Sequence, residues 1–338
     1  FILLVLSLTT FFYYKEKINK NVYISILIIL LSYDYYRIDS EIVSPNIHVP
    51  HKKILKNNKY IKDFKKADEM VLYLKNDTSK FRILDFVGEQ NRWANYHIEN
   101  INGYHPAKLN NYNQFIQAIN KQGYKLWPEG VLKLLNVKYI ILPSADFNHN
   151  SFTNLGSKGM TYFGNNPTYD GKQVGLYLYE YNNYSDRLFF TDKIINNKEN
   201  FSNDILDFNY NPSNYIYVNN LDIKDQSFPN KDRTNKLIHW SPDLIKFETN
   251  SNTEQFLVLS EIFYKDGWYL TCNGIDHQIY KVNNIVRGLK VPKGNNHFVM
   301  EFRPNEFKHG LLLSRFAVAF IILIFIYSGI IRYYGKKS

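Results

Sequence analysis

Two short segments of the chain carry side chains that suit sugar or phosphate chemistry. The first contains Tyr104, His105 and Lys108, which place a phenol, an imidazole and an ammonium group close together in sequence. These groups can contact a phosphate or a sugar hydroxyl, so we take the three residues as candidate substrate-binding residues. The alternative is structural: Gly103 and Pro106 would shape a turn in which His105 satisfies backbone groups.

The second segment combines the carboxylate of Glu261 with the aromatic rings of Tyr264 and Trp268. Aromatic faces suit sugar C–H groups while a carboxylate binds hydroxyls, so these residues and Arg287 complete the set of candidate substrate-binding residues. We expect Arg287 to pair with Glu261 inside the fold or with an anionic lipid head group. The alternative for this segment is a strand, a glycine turn and aromatic residues of the core.

No standard catalytic or metal-binding motif accompanies these segments. GxSxG, P-loop, GxGxxG and HExxH patterns are absent from the sequence, and the spacing of His48 and His51 matches no standard metal site. The single cysteine, Cys272, excludes an intramolecular disulfide framework and a Cys-based zinc site. A glycosidase would need two carboxylates facing a cleft, and no such pair stands out. We assign no catalytic residue, metal or cofactor to the chain.

The strongest structural signal is the apolar stretch of residues 311–331, in which Arg315 is the one charged residue. At about 1.5 Å of rise per helical residue it is long enough to cross a hydrocarbon layer roughly 30 Å thick. Lys and Arg collect on cytoplasmic flanks, and Lys336 and Lys337 follow the stretch. We predict a membrane helix with a cytoplasmic tail. The alternative, a core helix of a soluble protein, rarely has so continuous an apolar run.

The start of the chain predicts the same topology. Residues 1–14 read as the end of one membrane helix and residues 22–36 as a second, joined by a loop with Lys15, Lys17 and Lys20. A lysine-rich loop is expected in the cytoplasm, which places residues 37–310 outside it. Because the chain begins without methionine, we expect helices that precede it in a longer protein. We predict an integral protein of the bacterial cytoplasmic membrane, with the lipid bilayer and those helices as partners.

Composition favours a membrane protein with a large folded external part. Mean hydropathy is −0.36, which is too polar for a bundle lying wholly in lipid. The formal net charge is +10, but Lys is spread among Asn, Tyr and Asp rather than gathered into a stripe. Without a basic helix or an RNP-like strand, nucleic-acid binding is not expected.

The hydrophobic pattern divides the external part into two predicted units. Helix and strand signals alternate at first and favour an α/β layer that ends in a long loop over residues 144–172. Short strands separated by turn residues follow and favour an antiparallel β-sandwich. The predicted fold class is an α+β membrane protein, flanked by transmembrane helices. Its predicted segments are two membrane helices (1–36), a connector (37–66), an extracytoplasmic α/β unit (67–172), an extracytoplasmic β-sandwich (173–308), a membrane helix (309–334) and a cytoplasmic tail (335–338).

Several segments also resemble, in the same order, segments of one bacterial family. They are GYHPAKL (residues 103–109), LNVKYII (135–141), SEIFYKDGW (260–268) and, in one hairpin and its continuation, NIVRG, VPKG and FRP (284–304). Together they resemble the YfhO family of large membrane proteins, and the matches run from residue 103 to residue 304.

The resemblance implies a function for the longer protein. YfhO-family proteins are polytopic and similar to GT-C glycosyltransferases, which use polyprenyl-phosphate sugars. The chain would then be the C-terminal portion that assists sugar transfer to a cell-envelope glycan or polymer. GT-C enzymes carry their catalytic acidic residues in an early external loop, which this sequence does not match, so no catalytic role is transferred to Asp34 or Asp39. The alternative is a non-catalytic carbohydrate-binding or envelope-assembly membrane protein.

Overall fold

The computed structural model divides the chain into two compact units, Phe1–Ala67 and Asp68–Ser338. The residues that it describes are 2–43, 67–87, 91–103, 108–122, 126–162, 173–196, 203–218 and 223–335.

The first unit contains a helical hairpin of α1 (Ile2–Tyr14) and α2 (Lys20–Val43). The Asn19 side chain accepts a hydrogen bond from the backbone N–H of Val22 at 2.9 Å, which caps the start of α2. Tyr13 and Tyr23 stack between the helices with ring centres 4.5 Å apart. The helix α2 includes the predicted span at 22–36 and continues to Val43, into the predicted connector; the rest of that connector lies outside the described residues. Membrane crossing by α1 and α2 stays a prediction.

The second unit begins with a helical layer. Its helices are α3 (Glu69–Asn76), α4 (Asn110–Lys121) and α5 (Glu129–Leu134). Asp68 caps α3 by accepting a hydrogen bond from the Val71 N–H at 3.0 Å. Phe115 and Ile119 lie four residues apart on α4 and are both buried, as a single apolar helix face requires.

A four-stranded sheet lies in the same part of the unit. Its strands, in spatial order, are β1 (Arg82–Asp85), β2 (Val137–Leu142), β4 (Gln173–Tyr181) and β3 (Phe152–Tyr162). The pairing of β1 with β2 is parallel, and the other two pairings are antiparallel. The apolar strand β2 occupies a central position, where its side chains are buried.

This sheet corrects two expectations. The predicted loop at 144–172 contains the strand β3, whose Thr, Asn and Gly residues reflect its position at the edge of the sheet. The strand β4 pairs with β2 and so belongs to this sheet, although its alternating pattern suggested the first strand of the sandwich. The predicted domain boundaries themselves stay predictions.

Two further sheets face each other. The five-stranded sheet has the order β13-β12-β16-β10-β9, and the seven-stranded sheet has the order β5-β11-β15-β14-β7-β6-β8. The strands are β5 (Leu188–Phe190), β6 (Lys193–Asn196), β7 (Ile216–Val218), β8 (Gln226–Ser227), β9 (Arg233–Trp240), β10 (Leu244–Ser251), β11 (Gln255–Ile262), β12 (Trp268–Cys272), β13 (Ile275–His277), β14 (Tyr280–Val282), β15 (Val286–Val291) and β16 (Gly294–Phe302).

Strand alternation explains how the seven-stranded sheet is buried on both faces. Leu257 and Leu259 belong to a core cluster that also contains Phe247 and Phe298 of the five-stranded sheet. Phe256 and Val258, which point the other way along β11, join a cluster that includes residues of α4, α5 and β2. The arrangement is mixed α+β with sandwich-like sheets. It is not wholly antiparallel, because β6 and β7 pair in parallel.

The chain ends in α6 (Asn305–Gly335), which begins three residues after β16. Within the described residues, the segment Asn305–Tyr327 is the one helix long and apolar enough to cross a membrane. Its side chains are not buried by the part of the chain that the structure describes.

Candidate functional site

A cleft of about 590 Å³ opens at the end of the sandwich from which α6 emerges. Its walls come from the hairpin of β12 and β13, from β14 and from the segment that precedes β12. The lining residues that bear on chemistry are Tyr264, Lys265, Trp268, Tyr269, Asp276 and Lys281.

A glycine turn builds the aromatic part of this cleft. Gly267 has φ +86°, and a Cβ there would lie 2.8 Å from the ring of Phe302. Only glycine combines this backbone conformation with so close an approach. The turn sets Trp268 opposite Phe302 in the ladder, with ring centres 5.3 Å apart, and Tyr264 lies 6.3 Å from the same ring.

Tyr269 links the cleft to the start of α6. The Arg303 guanidinium lies 5.1 Å from the Tyr269 ring, and the Asn305 side chain donates a hydrogen bond to the Tyr269 hydroxyl at 3.5 Å. Tyr264 and Tyr269 keep 44% and 41% of their surface exposed, which leaves aromatic faces open to a ligand. An aromatic floor with Lys and Asp at its walls suits a ligand with both C–H faces and polar groups.

Arg287 lies behind this floor rather than in the cleft. Its guanidinium is 4.0 Å from the centre of the Trp268 ring, and its Nε donates to the Ile262 carbonyl at 3.2 Å. Burial lowers the pKa of Arg287 to about 10, against the opposing effect of Glu261, so the group stays charged at neutral pH. The cation is buried against the indole and holds Trp268 in place.

Glu261 occupies a different place from Tyr264 and Trp268. Its carboxylate accepts hydrogen bonds from Arg187 and the Trp240 indole, both at 3.1 Å, and from Arg82 at 3.2 Å. The expected pair of Glu261 with Arg287 is therefore wrong among the described residues: the carboxylate is paired with Arg187 and Arg82, which come from distant parts of the chain. The substrate-binding role of Glu261 stays a prediction.

A second carboxylate completes this buried group. Glu99 pairs with Arg187 at 2.9 Å and with Arg82 at 3.1 Å, so two guanidinium groups and two carboxylates balance in charge. Burial lowers the pKa of Arg187, and the neighbouring Arg82 lowers it further. The group joins the strand β1 to the sandwich, and Arg82 also donates to the Ser260 carbonyl at 2.5 Å. We call Arg82, Glu99, Arg187 and Glu261 the charge cluster.

Sequence reasoning missed three of the four members of the charge cluster. A signal was present for Arg82, because it is the first residue of the short strand β1, whose four residues are all buried. Arg187 likewise directly precedes the buried strand β5. A charged residue in such a position needs a buried partner, although the sequence does not say which one.

The structure describes only part of the first candidate segment, which contains Tyr104, His105 and Lys108. Tyr104 and His105 lie outside the described residues. Lys108 is exposed just before α4. On α4, Tyr112 donates a hydrogen bond to the Ile101 carbonyl at 2.8 Å, and burial raises its pKa to about 12, so this hydroxyl has a structural partner. The substrate-binding role of these residues stays a prediction.

The comparisons with known proteins cover the sandwich and the start of α6. Residues 218–314 match the family model described as bacterial membrane protein YfhO. The uncharacterized protein YfhO of Bacillus subtilis strain 168 is 27% identical over 103 residues, which is 30% of this chain and 12% of that protein. No solved structure matches the chain. The matched region contains Glu261, Tyr264, Trp268 and Arg287, and over this region the chain is similar to the YfhO family of bacterial membrane proteins.

Proposed function

We propose that the chain is the extracytoplasmic domain and membrane anchor of a YfhO-like protein of the bacterial cytoplasmic membrane. In this proposal α6 crosses the bilayer and the sandwich stands on the outer surface, with the helices that precede the chain in a longer protein as its partners. The apolar, exposed segment Asn305–Tyr327 supports the anchor. The basic residues Arg332, Lys336 and Lys337 support a cytoplasmic end.

The domain then assists sugar transfer from a polyprenyl-phosphate donor to a cell-envelope glycan or polymer. In such a transfer the bond between the anomeric carbon and the phosphate oxygen breaks. A glycosidic bond to an acceptor hydroxyl forms, and a base elsewhere in the protein takes the hydroxyl proton. The observation that carries this proposal is the position of the aromatic cleft: Tyr264, Trp268 and Tyr269 line a saccharide-sized space beside the first residue of α6.

One observation favours a second candidate function, glycan binding without catalysis. Among the described residues that line the cleft, Asp276 is the one carboxylate. Hydrolysis or transfer by two carboxyl groups would need a second one across the sugar. The cleft would then hold an envelope glycan during assembly, and the chemistry would belong to another protein.

Sugar transfer in membranes separates these functions. The full-length protein is compared with its Tyr264→Ala and Trp268→Phe variants, using a radiolabelled polyprenyl-phosphate sugar as donor. Phe208→Ala is the matched control, because Phe208 is 56% exposed and does not line the cleft.

We expect transfer per molecule of protein to fall several-fold for Tyr264→Ala, less for Trp268→Phe, and not for Phe208→Ala. Unchanged transfer in all three variants would contradict the role of the cleft in transfer. The non-catalytic alternative would be supported if the wild type transferred no sugar and if Tyr264→Ala or Trp268→Phe bound less glycan than the wild type.

A further inference from the structure

A second cleft, of about 640 Å³, lies on the five-stranded sheet at the end away from α6. The strand β10 runs from Leu244, opposite Glu301, to Ser251, opposite Gly294. With roughly 3.4 Å of rise per residue, the eight residues of β10 separate the two ends of the sheet by roughly 24 Å. Among the described residues, none lines both clefts, so the second cleft is a site separate from the aromatic one.

Its side chains form two rows across three neighbouring strands. Thr234, Asn250 and Asn295 are adjacent in the register of β9, β10 and β16. Lys236, Glu248 and His297 form the next row, in the same strand order. We call these six residues and Asn273, which borders them, the distal face.

A rigid edge supports these rows. Asn273 and Gly274 form the two-residue turn between β12 and β13, both with positive φ (52° and 82°), as a hairpin of this type requires. The Asn273 side-chain oxygen accepts a hydrogen bond from the backbone N–H of His297 at 2.8 Å, and its side-chain nitrogen donates to the side-chain oxygen of Asn296 at 3.1 Å. The Asn296 amide in turn donates to the Pro292 carbonyl at 2.7 Å. The edge is thus fixed before any ligand arrives.

The rows themselves keep their hydrogen-bonding capacity. Within the described part of the chain, the side chains of Thr234, Asn250 and Asn295 make no hydrogen bond, and Asn250 and Asn295 are exposed. An amide offers two donors and one acceptor oxygen, and a hydroxyl offers both functions. Such side chains match a ligand whose own groups are both donors and acceptors.

The charges of the distal face limit the class of ligand that it could bind. Lys236 and Glu248 oppose each other directly on β9 and β10, and Glu248 lies 3.6 Å from the His297 ring nitrogen. The formal charge of the distal face is therefore zero when His297 is neutral. Among the described residues that line this cleft, none has an apolar side chain, so the cleft does not suit a lipid tail. We infer that the distal face binds a neutral oligosaccharide through hydroxyl contacts to Thr234, Asn250 and Asn295.

This inference does not depend on the aromatic cleft, and the test separates the two sites. The full chain, in lipid nanodiscs, is titrated with neutral hexasaccharides of glucose, mannose, galactose and N-acetylglucosamine. The titration uses the Tyr264→Ala background, so that binding in the aromatic cleft is weakened. Asn250→Asp and Asn295→Asp are added singly, because they keep the side-chain shape while replacing the donor with a charge.

Asn182→Asp is the matched control. Asn182 is exposed beyond the end of β4, and its side-chain oxygen accepts a hydrogen bond from Thr153 at 2.8 Å, which Asp can retain. We expect at least one hexasaccharide to bind in the Tyr264→Ala background. Either distal substitution should weaken that binding by about tenfold, which corresponds to the loss of one or two hydrogen bonds. Asn182→Asp should leave it unchanged.

Absence of binding by every hexasaccharide in that background would overturn the inference, even if the aromatic cleft bound saccharide in the unmodified chain. Binding that survives both distal substitutions would overturn it as well. Failure of the proposed transfer function leaves this result unaffected, because the titration measures no transfer.

Discussion

The guanidinium of Arg287 lies 4.0 Å from the centre of the Trp268 ring, on the inner side of the aromatic cleft. Arg287 also donates to the Ile262 carbonyl at 3.2 Å, and its side chain contacts the sulfur of Met300 at 3.2 Å. The buried cation is held by an indole, a carbonyl and a thioether, which fixes the ring, and it has no ion pair among the described residues. The shape of the cleft floor therefore depends on a residue that does not line it.

Substitutions at Arg287 should show how much its volume and how much its charge contribute to the free energy of unfolding. Arg287→Ala removes the support of the indole and should lower the free energy of unfolding by about 2–4 kcal/mol. Arg287→Met fills the space without a buried charge and should change it by less than about 1.5 kcal/mol. Denaturant unfolding gives both values, and Trp268 fluorescence, isolated by subtracting a Trp268→Phe spectrum, should shift to longer wavelength for Arg287→Ala alone. Equal destabilisation by both substitutions would show that the charge itself is required.

Glu261→Gln tests the structural role of the charge cluster. Glu261 faces Arg187, whose side chain is only 2% exposed, so loss of its charge leaves the guanidinium groups of Arg187 and Arg82 to share the one remaining carboxylate, Glu99. We expect a loss of about 3 kcal/mol in the free energy of unfolding, measured with denaturant. Glu248→Gln is the control and should cost less than about 1 kcal/mol, because Glu248 pairs with His297 at a site where both side chains are about half exposed. A stable Glu261→Gln protein that loses saccharide binding would instead make Glu261 a ligand-binding residue.

Acid should destabilise the α/β layer through Asp77. Burial alone would raise its pKa, but hydrogen bonds from Lys138, Ser79 and Tyr139 lower the pKa to about 2 from an ordinary value of 3.8. A carboxylate with a depressed pKa in the folded state stabilises the fold above its unfolded pKa. That contribution is lost as the pH falls from about 4 towards 2.

The measurement is the free energy of unfolding as a function of pH, compared with Asp77→Asn. The variant should be less stable near neutral pH and should show a shallower decline between about pH 4 and 2. Parallel curves for the two proteins would exclude Asp77 as a source of the acid dependence.

The sequence was informative where local patterns decide the structure. The strands β2 (Val137–Leu142) and β12 (Trp268–Cys272) can be predicted from sequence, because each is a short run of mostly apolar or aromatic residues bounded by turn residues. The strands β3 and β9 were not predicted. Both lie at the edge of a sheet, and an edge strand with one solvated side does not need a continuous apolar pattern. Tertiary pairing, rather than composition, makes them strands.

The site was predictable to the same extent. Tyr264 and Trp268 lie close in sequence, and the turn at Gly267 brings both into one cleft. Glu261 is separated from them because its partners Arg82 and Arg187 come from segments 179 and 74 residues away. Sequence patterns are read within a window of about a dozen residues, so they do not predict a contact between segments this far apart.

The central claim, that the sandwich lies outside the cytoplasm while the C-terminal tail lies inside, is tested most directly by cysteine labelling. Cys272 is buried and burial raises the pKa of its thiol, so a Cys272→Ser background removes a weakly reactive site with little change. Ile275→Cys places a thiol where the side chain is 74% exposed, and Ser338→Cys places one in the tail.

A membrane-impermeant maleimide is added to spheroplasts before and after lysis. We predict that position 275 is labelled in intact spheroplasts and that position 338 is labelled only after lysis. Labelling of position 338 in intact spheroplasts, or protection of position 275 until lysis, would contradict the account.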